Sequence, residues 1–391
     1  MTATVDNAQT AAEPANLLDP VIDDVIRPQA PIVDRDGAFP RPGVDALAAA
    51  GLLGLASSTE VGGGGHGMRT VAGVIERLAA ECGSTAMVVL MHYAATAVIE
   101  AHGPRDVRAA IAAGDHLTTL AFSEYGSRSH FWSPTGTASA AAAADDTVLL
   151  EARKSWVTSA GEADSYVWSS LPLTREAGPM TLWLVPAGSP GLSVTGDFDG
   201  LGLRGNGSRP MTADGLRVPA AAMMAADGAG LDTALGAVLP WFLVLNAAFC
   251  LGLADSAVTE AGRHLTRTTL THTGAALRDA PVTRRDLARL MIRTDALRAF
   301  LGDTLTALET GRDDAMLRVL QVKALAGETV AEVTDGAMQL CGGSAFRKEL
   351  GLERRFRDAR AARVMAPTTD ALHDFVGRVA TGLPLLDEAN R

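Results

Sequence analysis

The sequence predicts an α+β protein with an N-terminal helical domain, a central antiparallel β-barrel domain and a C-terminal four-helix bundle. Three observations carry this expectation: apolar residues recur at helical spacing up to residue 116, short β-rich runs separated by Gly, Ser, Asp and Pro clusters fill 117–228, and helical spacing returns over 229–391. With 391 residues, 47% hydrophobic and 20% charged, the chain can bury a large core and is not a disordered tail.

Residues 1–30 mix small, polar and acidic residues without a basic start or an apolar run, so they read as a tail rather than a secretory signal. The helical domain is assigned to 31–116. In DGAFPRPGVDALAAAGLLGL, Pro40 and Pro42 stand near a helix start and Gly51 at its end, with Val44, Leu47 and Ala48 on one face. The glycine run VGGGGHG at 61–67 lacks the Lys-Ser/Thr of a phosphate-binding loop and reads as a flexible surface loop. TVAGVIERLAAE and TAMVVLMHYAATAVIEAHG then continue as two helices.

The β-domain, 117–228, contains the runs LTTLAF, TVLLEA, KSWVTS, SYVWSS, MTLWLVPA and LSVTG. Gly200, Gly202 and Gly205 spell G-x-G-x-x-G, but they lead into the strand-like TADGLRVP and not into a helix, so a dinucleotide-binding turn is rejected. In the bundle, long helices are expected at 231–260, 284–309, 315–341 and 371–381, the second opened by a capping box of Thr283 and Asp286. Segment 235–254 carries no charge over twenty positions, long enough to span a membrane. Pro240 and Asn246 interrupt it, Asp232 and Asp255 flank it, and no nearby Lys or Arg sets an orientation, so a helix buried in the bundle is preferred.

Forty-five acidic against 34 basic residues leave a charge of -11, which disfavours nucleic acid and anionic membranes as partners. Cys82, Cys250 and Cys341 are too few and too dispersed for a disulfide framework or a zinc site; no metal is expected, and a reducing cytoplasm is the expected location.

Several phrases in this order resemble the acyl-CoA dehydrogenase superfamily of flavoproteins over nearly the whole chain. GAFPRPGVDALAAAGLLGLASSTEVGG is similar to its opening helix and loop, AFSEYGSRS to its flavin loop, KSWVTSAGEAD to the stretch against the isoalloxazine, and QLCGGSAF and RFRDARAARV to its terminal signatures. The resemblance implies FAD as cofactor, with Trp156 packing on the ring, Thr158 donating to it, and Ser123 and Ser129 donating to the ring or the pyrophosphate. Arg128 stands where a glycine is usual. Gln339, Gly342 and Gly343 match the segment that reaches FAD of a neighbouring subunit, so a homo-oligomer, dimer or tetramer, is implied. Arg267 matches an arginine that crosses to the pyrophosphate. Read alone, Trp156 equally suits a β-barrel core and Gly342-Gly343 a helix C-cap.

The departures bear on chemistry. A family dehydrogenase needs a carboxylate over the substrate's α-carbon, a base contributing about 10² to 10⁴ in rate. At the usual glutamate position stands Ala366, at the alternative one on the first bundle helix Phe242, and at the thioester-supporting arginine Leu243. A pocket of Phe242, Leu243, Met365 and Ala366, with Tyr125, is apolar and suits the family's two-component monooxygenases, which take reduced flavin from a reductase, use oxygen and need no α-base. His92 is the expected catalytic histidine, with Tyr93 and Ser127 as further lining. The favoured expectation is a reduced-flavin-dependent monooxygenase of a small apolar or aromatic substrate. Its rival is an acyl-CoA or acyl-carrier-protein dehydrogenase with a relocated base, Glu124 or Asp370, although Asp370 also suits the cap of a helix starting near Ala371.

Overall fold

The first helical turns lie well ahead of residue 31. The computed structural model describes residues 14–128, 130–141 and 146–386, and helix begins at residue 14. Leu18, Val21, Ile22, Ile26, Ala30 and Val33 recur at helical spacing and are buried, which is why this stretch folds onto the body and the expected tail over 14–30 is replaced by helix. The rest of that tail, 1–13, lies outside the described residues. The helical domain continues as α1 (Arg27–Asp36), α2 (Arg41–Ala49), α3 (Met68–Glu81), α4 (Gly83–His102) and α5 (Arg105–Ala113). The glycine run is pinned rather than flexible: the Gly63, Gly64 and Gly65 amides donate to Ser58, Gly54 and Ser57 carbonyls at 3.0, 3.0 and 2.8 Å. Those donors are spent within the chain, so no phosphate cradle exists there.

The β-domain holds two four-stranded sheets, in keeping with the expected β-domain between the helical domains. One runs β1 (Thr118–Ala121), β4 (Ser165–Ser170), β5 (Thr181–Pro186), β8 (Met223–Met224); the other runs β2 (Thr137–Ala140), β3 (Thr147–Val157), β7 (Arg209–Pro219), β6 (Leu192–Val194). Pairing between these strands is antiparallel except β1 with β4, which is parallel, the chain between them crossing through β2 and β3 of the other sheet. The three glycines at 200–205 lie in a connection leading to β7, as expected. A Cβ on Gly202 would sit 2.4 Å from the Arg357 carbonyl, and one on Gly205 2.4 Å from the Ala38 carbonyl, so these glycines let neighbouring backbone approach.

The bundle comprises α6 (Leu239–Arg267), α7 (Pro281–Thr310), α8 (Ala315–Cys341) and, after the short α9 (Leu352–Ala359) and α10 (Ala361–Val364), α11 (Thr369–Ala380). Helix α8 packs on α6, α7 and α11. Pro240 follows directly on the π-helical turn Ala234–Val238, and the helix runs on through it from Gly230 to Arg267, so it does not interrupt the helix. Helix α7 opens at Pro281 and has no side-chain cap; Asp286 pairs with Arg285, so the expected Thr283–Asp286 box is absent. Helix α11 starts at Thr369, and Thr368, not Asp370, caps it by accepting from the Ala371 amide. Gly83–His102 and Gly230–Arg267 are long and apolar enough to cross a membrane, yet most of each is buried inside the protein, 83% and 78% of their apolar windows.

Candidate functional site

The site is built on a buried brace. Lys154 on β3 points inward, wholly buried, and its ammonium donates to Glu124 Oε1 at 2.7 Å and to the carbonyl and hydroxyl of Ser169 at 2.7 and 2.8 Å. Glu124 Oε2 accepts from the Thr135 amide and hydroxyl and from the Gly136 amide. Burial pushes Lys154 down to about 8, with Glu124 opposing a further fall. Burial alone would raise Glu124, but the Lys154 charge and its hydrogen bonds prevail and hold it below the usual carboxylate range. Beside the brace, the Ser155 amide donates to the Ser123 carbonyl at 2.9 Å, which ties the flavin-loop segment to β3.

Beyond Lys154 the β3 register shifts, and the bulge turns Trp156 outward with φ 57° while Val157 stays buried. Such a backbone is costly for a bulky residue. Trp156 is 68% exposed and meets Phe198 edge to face at 6.2 Å, so it is not β-domain core. Thr158 is buried, 3.1 Å from the Ser208 hydroxyl, and the Ser208 amide donates to Asn206.

These residues border a cavity of about 580 Å³, within the size range of small-molecule sites. The β-domain and its connections contribute Ser123, Trp156, Thr158, Asn206, Ser208 and the aromatic rings of Phe122, Phe131 and Phe198. The helical elements contribute Met91, Val238, Leu239, Phe242, Arg357, Arg360, Val364, Met365, Ala366 and Pro367. Among the described lining residues none is Asp or Glu. Under the last segment lies Lys323, fully buried, donating to the Met365 and Pro367 carbonyls at 2.9 and 2.6 Å and pushed by burial down to about 8.

The structure brings Ser123, Trp156, Thr158, Phe242, Met365 and Ala366 to this cavity. It takes others away. His92 is buried beside Met91, which lines the cavity in its place; its Nδ1 accepts from the Thr118 amide and its Nε2–H donates to the Leu53 carbonyl, both at 3.2 Å. Burial pushes it down to about 4, and with both ring nitrogens engaged within the chain it acts as a neutral clamp outside the cavity lining. Tyr93 donates to the Leu52 carbonyl and is equally buried. Tyr125 is 72% exposed under the Arg153 guanidinium, Ser127 donates to the Glu124 carbonyl, and Leu243 is core behind Phe242. Gln339, Gly342 and Gly343 are exposed at the end of α8, where Gly342 is the C-cap, and Arg267 is exposed in the last turn of α6. Ser129 lies outside the described residues. Sequence reasoning missed Asn206, Ser208, Arg357 and Arg360. The two arginines were detectable, since Arg357, Arg360, Ala361 and Val364 sit three or four apart on one helical face.

Three family models match in sequence order: the acyl-CoA dehydrogenase N-terminal domain at 16–114, its middle domain at 119–216 and its C-terminal domain at 228–381. The chain belongs to the acyl-CoA dehydrogenase superfamily. The protein is 27% identical over 371 residues to cyclohex-1-ene-1-carbonyl-CoA dehydrogenase of Geobacter metallireducens, covering 92% of this chain and 94% of that one. It is 26% identical over 350 residues to human mitochondrial short-chain specific acyl-CoA dehydrogenase, covering 88% and 83%. Butyryl-CoA dehydrogenase of Megasphaera elsdenii shares the fold with a TM-score of 0.89 at 19% identity, over 95% of this chain and 98% of that one. Acyl-CoA dehydrogenases are flavin-dependent oxidoreductases that bind FAD. The donor set here fits that cofactor: the Ser123, Thr158 and Ser208 hydroxyls and the Asn206 amide are the uncharged polar side chains of a cavity otherwise walled by apolar and aromatic groups and two arginines, and Trp156 offers an aromatic plane.

Proposed function

We propose that this acyl-CoA dehydrogenase-like protein is a monooxygenase that receives reduced flavin from a separate reductase and hydroxylates a small apolar or aromatic molecule. The absence of any carboxylate among the described cavity-lining residues carries this reading. Thioester desaturation requires a base over the α-carbon. Ala366 and Phe242 occupy the places where the family resemblance puts that base, Glu124 is spent on Lys154, Thr135 and Gly136, and Asp370 is exposed outside the cavity. Reduced FAD, when bound, would supply electrons to oxygen. The chain's own residues hold it and keep water out: Ser123, Thr158, Asn206 and Ser208 present hydrogen-bonding groups from the β-domain side, while Phe242, Val364 and Met365 close the helical side.

A second reading has its own support. The human and Geobacter metallireducens relatives are acyl-CoA dehydrogenases, which favours a dehydrogenase of a CoA- or carrier-bound thioester. Anaerobic addition of butyryl-CoA and longer acyl-CoAs to the FAD-loaded protein separates the two: a monooxygenase leaves the flavin absorbance unchanged, and bleaching overturns our reading. In a second experiment reduced protein is mixed with oxygen, and the return of oxidised-flavin absorbance should lag behind oxygen consumption. We also propose a homo-oligomer, supported by exposed Gln339, Gly342 and Gly343 beside Phe346, itself 82% exposed.

A further inference from the structure

We propose that Arg360 forms an anion subsite in the cavity wall and that the substrate carries a carboxylate. The inference rests on the proposed function only in taking this cavity as the substrate site. Arg357 and Arg360 are the charged side chains among its described lining residues, and they differ in one respect. Arg357 is neutralised by the chain, holding Asp34 through both amino groups at 2.8 and 2.6 Å and Glu353 through Nε at 2.7 Å. Arg360 has only uncharged partners: Nε donates to the Phe356 carbonyl at 3.1 Å, and Nη2 to the Ala331 carbonyl at 2.9 Å and the Thr334 hydroxyl at 2.7 Å. Its guanidinium lies 4.2 Å from the centre of the Phe356 ring, and among the described residues it forms no contact ion pair, the Asp335 carboxylate acting on it only at longer range.

Lys323, on α8, repeats the pattern beneath the segment that follows Arg360. Its ammonium is buried against the Met365 and Pro367 carbonyls, with no carboxylate partner among the described residues. Arg360 on the cavity wall and Lys323 beneath the Met365–Pro367 segment are thus two cations without a contact ion pair among the described residues, beside a cavity with no acid among its described lining residues, in a chain whose net charge is -11. A charge taken out of water without a counter-charge is unfavourable, and an anion arriving with the ligand relieves it. A planar guanidinium also matches the two oxygens of a carboxylate.

A phosphate of FAD offers the same anionic oxygen chemistry. Location favours the substrate: Arg360 belongs to the helical wall with Phe242, Val364 and Met365, whereas the uncharged donors that fit the cofactor lie on the β-domain wall. The substrate class is therefore a small organic acid with an apolar or aromatic body.

The test is static binding, so it stands apart from the oxygen and thioester experiments. FAD-loaded protein is titrated with benzoate, cyclohexanecarboxylate and hexanoate, each against its amide, following the flavin's visible absorbance. FAD affinity of the apoprotein is measured by fluorescence titration. At least one acid should bind about tenfold or more tightly than its amide. Arg360→Gln should erase that preference while FAD affinity stays within about twofold, and Arg360→Lys should restore part of it. If no acid outbinds its amide in the native protein, or if the preference survives Arg360→Gln, the proposal fails. If Arg360→Gln weakens FAD about tenfold and leaves the acids unaffected, the anion is the cofactor's phosphate and the carboxylate assignment is overturned.

Discussion

Replacing Glu124 with alanine tests whether the buried brace beneath the cavity is required for both stability and flavin binding. The substitution removes the counter-charge of a wholly buried lysine and the acceptor for the Thr135 and Gly136 amides. Lys154 already stands near 8 against its ordinary 10.5, so shedding its proton at pH 7 costs on the order of 1 kcal/mol, which keeps the lysine's share small. The two orphaned amides add about 1–3 kcal/mol each, giving a loss of roughly 3–7 kcal/mol. The depressed lysine sets the sign of the pH dependence. Between about 8 and 10.5 the unfolded chain binds a proton that the native state has released, so native stability rises with pH across that window. Without Glu124 the folded-state value drops further and the rise starts below 8. Equilibrium urea denaturation followed by tryptophan fluorescence at several pH values reads both effects, and an FAD titration should show weakened binding because Ser123 and the Trp156 bulge lose their anchor. A loss under about 1 kcal/mol, well below the cost of one buried unsatisfied group, refutes the reasoning.

Thr158→Ala should weaken FAD binding about fivefold, the net worth of roughly one hydrogen bond, with little change in unfolding midpoint. His92 is held near 4 against 6.5, so the unfolded chain takes up a proton that the native chain refuses. Stability should accordingly fall as pH drops from about 6.5 to 4, by on the order of 3 kcal/mol, and His92→Gln should flatten that part of a denaturation-versus-pH profile. Gly202→Ala drives a methyl into the Arg357 backbone and should destabilise the protein by roughly 1–3 kcal/mol while opening the cavity rim, read as a lower melting temperature and a weaker FAD complex.

Much of the site was legible where residue type alone decides the role. The Trp156–Thr158 segment was identifiable because an aromatic plane and a hydroxyl in that phrase suit a ring ligand, and the missing acids at Ala366 and Phe242 needed only the residue names. Phase was less legible. Adjacent helical residues point about 100° apart, so Met91 rather than His92, and Phe242 rather than Leu243, reach the cavity; α4 is apolar on nearly every side and has no polar face to orient it. Asn206 and Ser208 escaped notice because an irregular connection has no period.

Period, composition and punctuation in the sequence determined the helical–β–helical order, helix α8 to its last residue, and the apolar residues at Phe242 and Ala366, since each depends on local pattern or on what a side chain can chemically do. Only the tertiary structure decided which cations lack a counter-ion. Arg357 meets Asp34 from more than three hundred residues away, whereas Arg360 meets carbonyls and a hydroxyl, and a charge is compensated by neighbours in space whatever their distance along the chain.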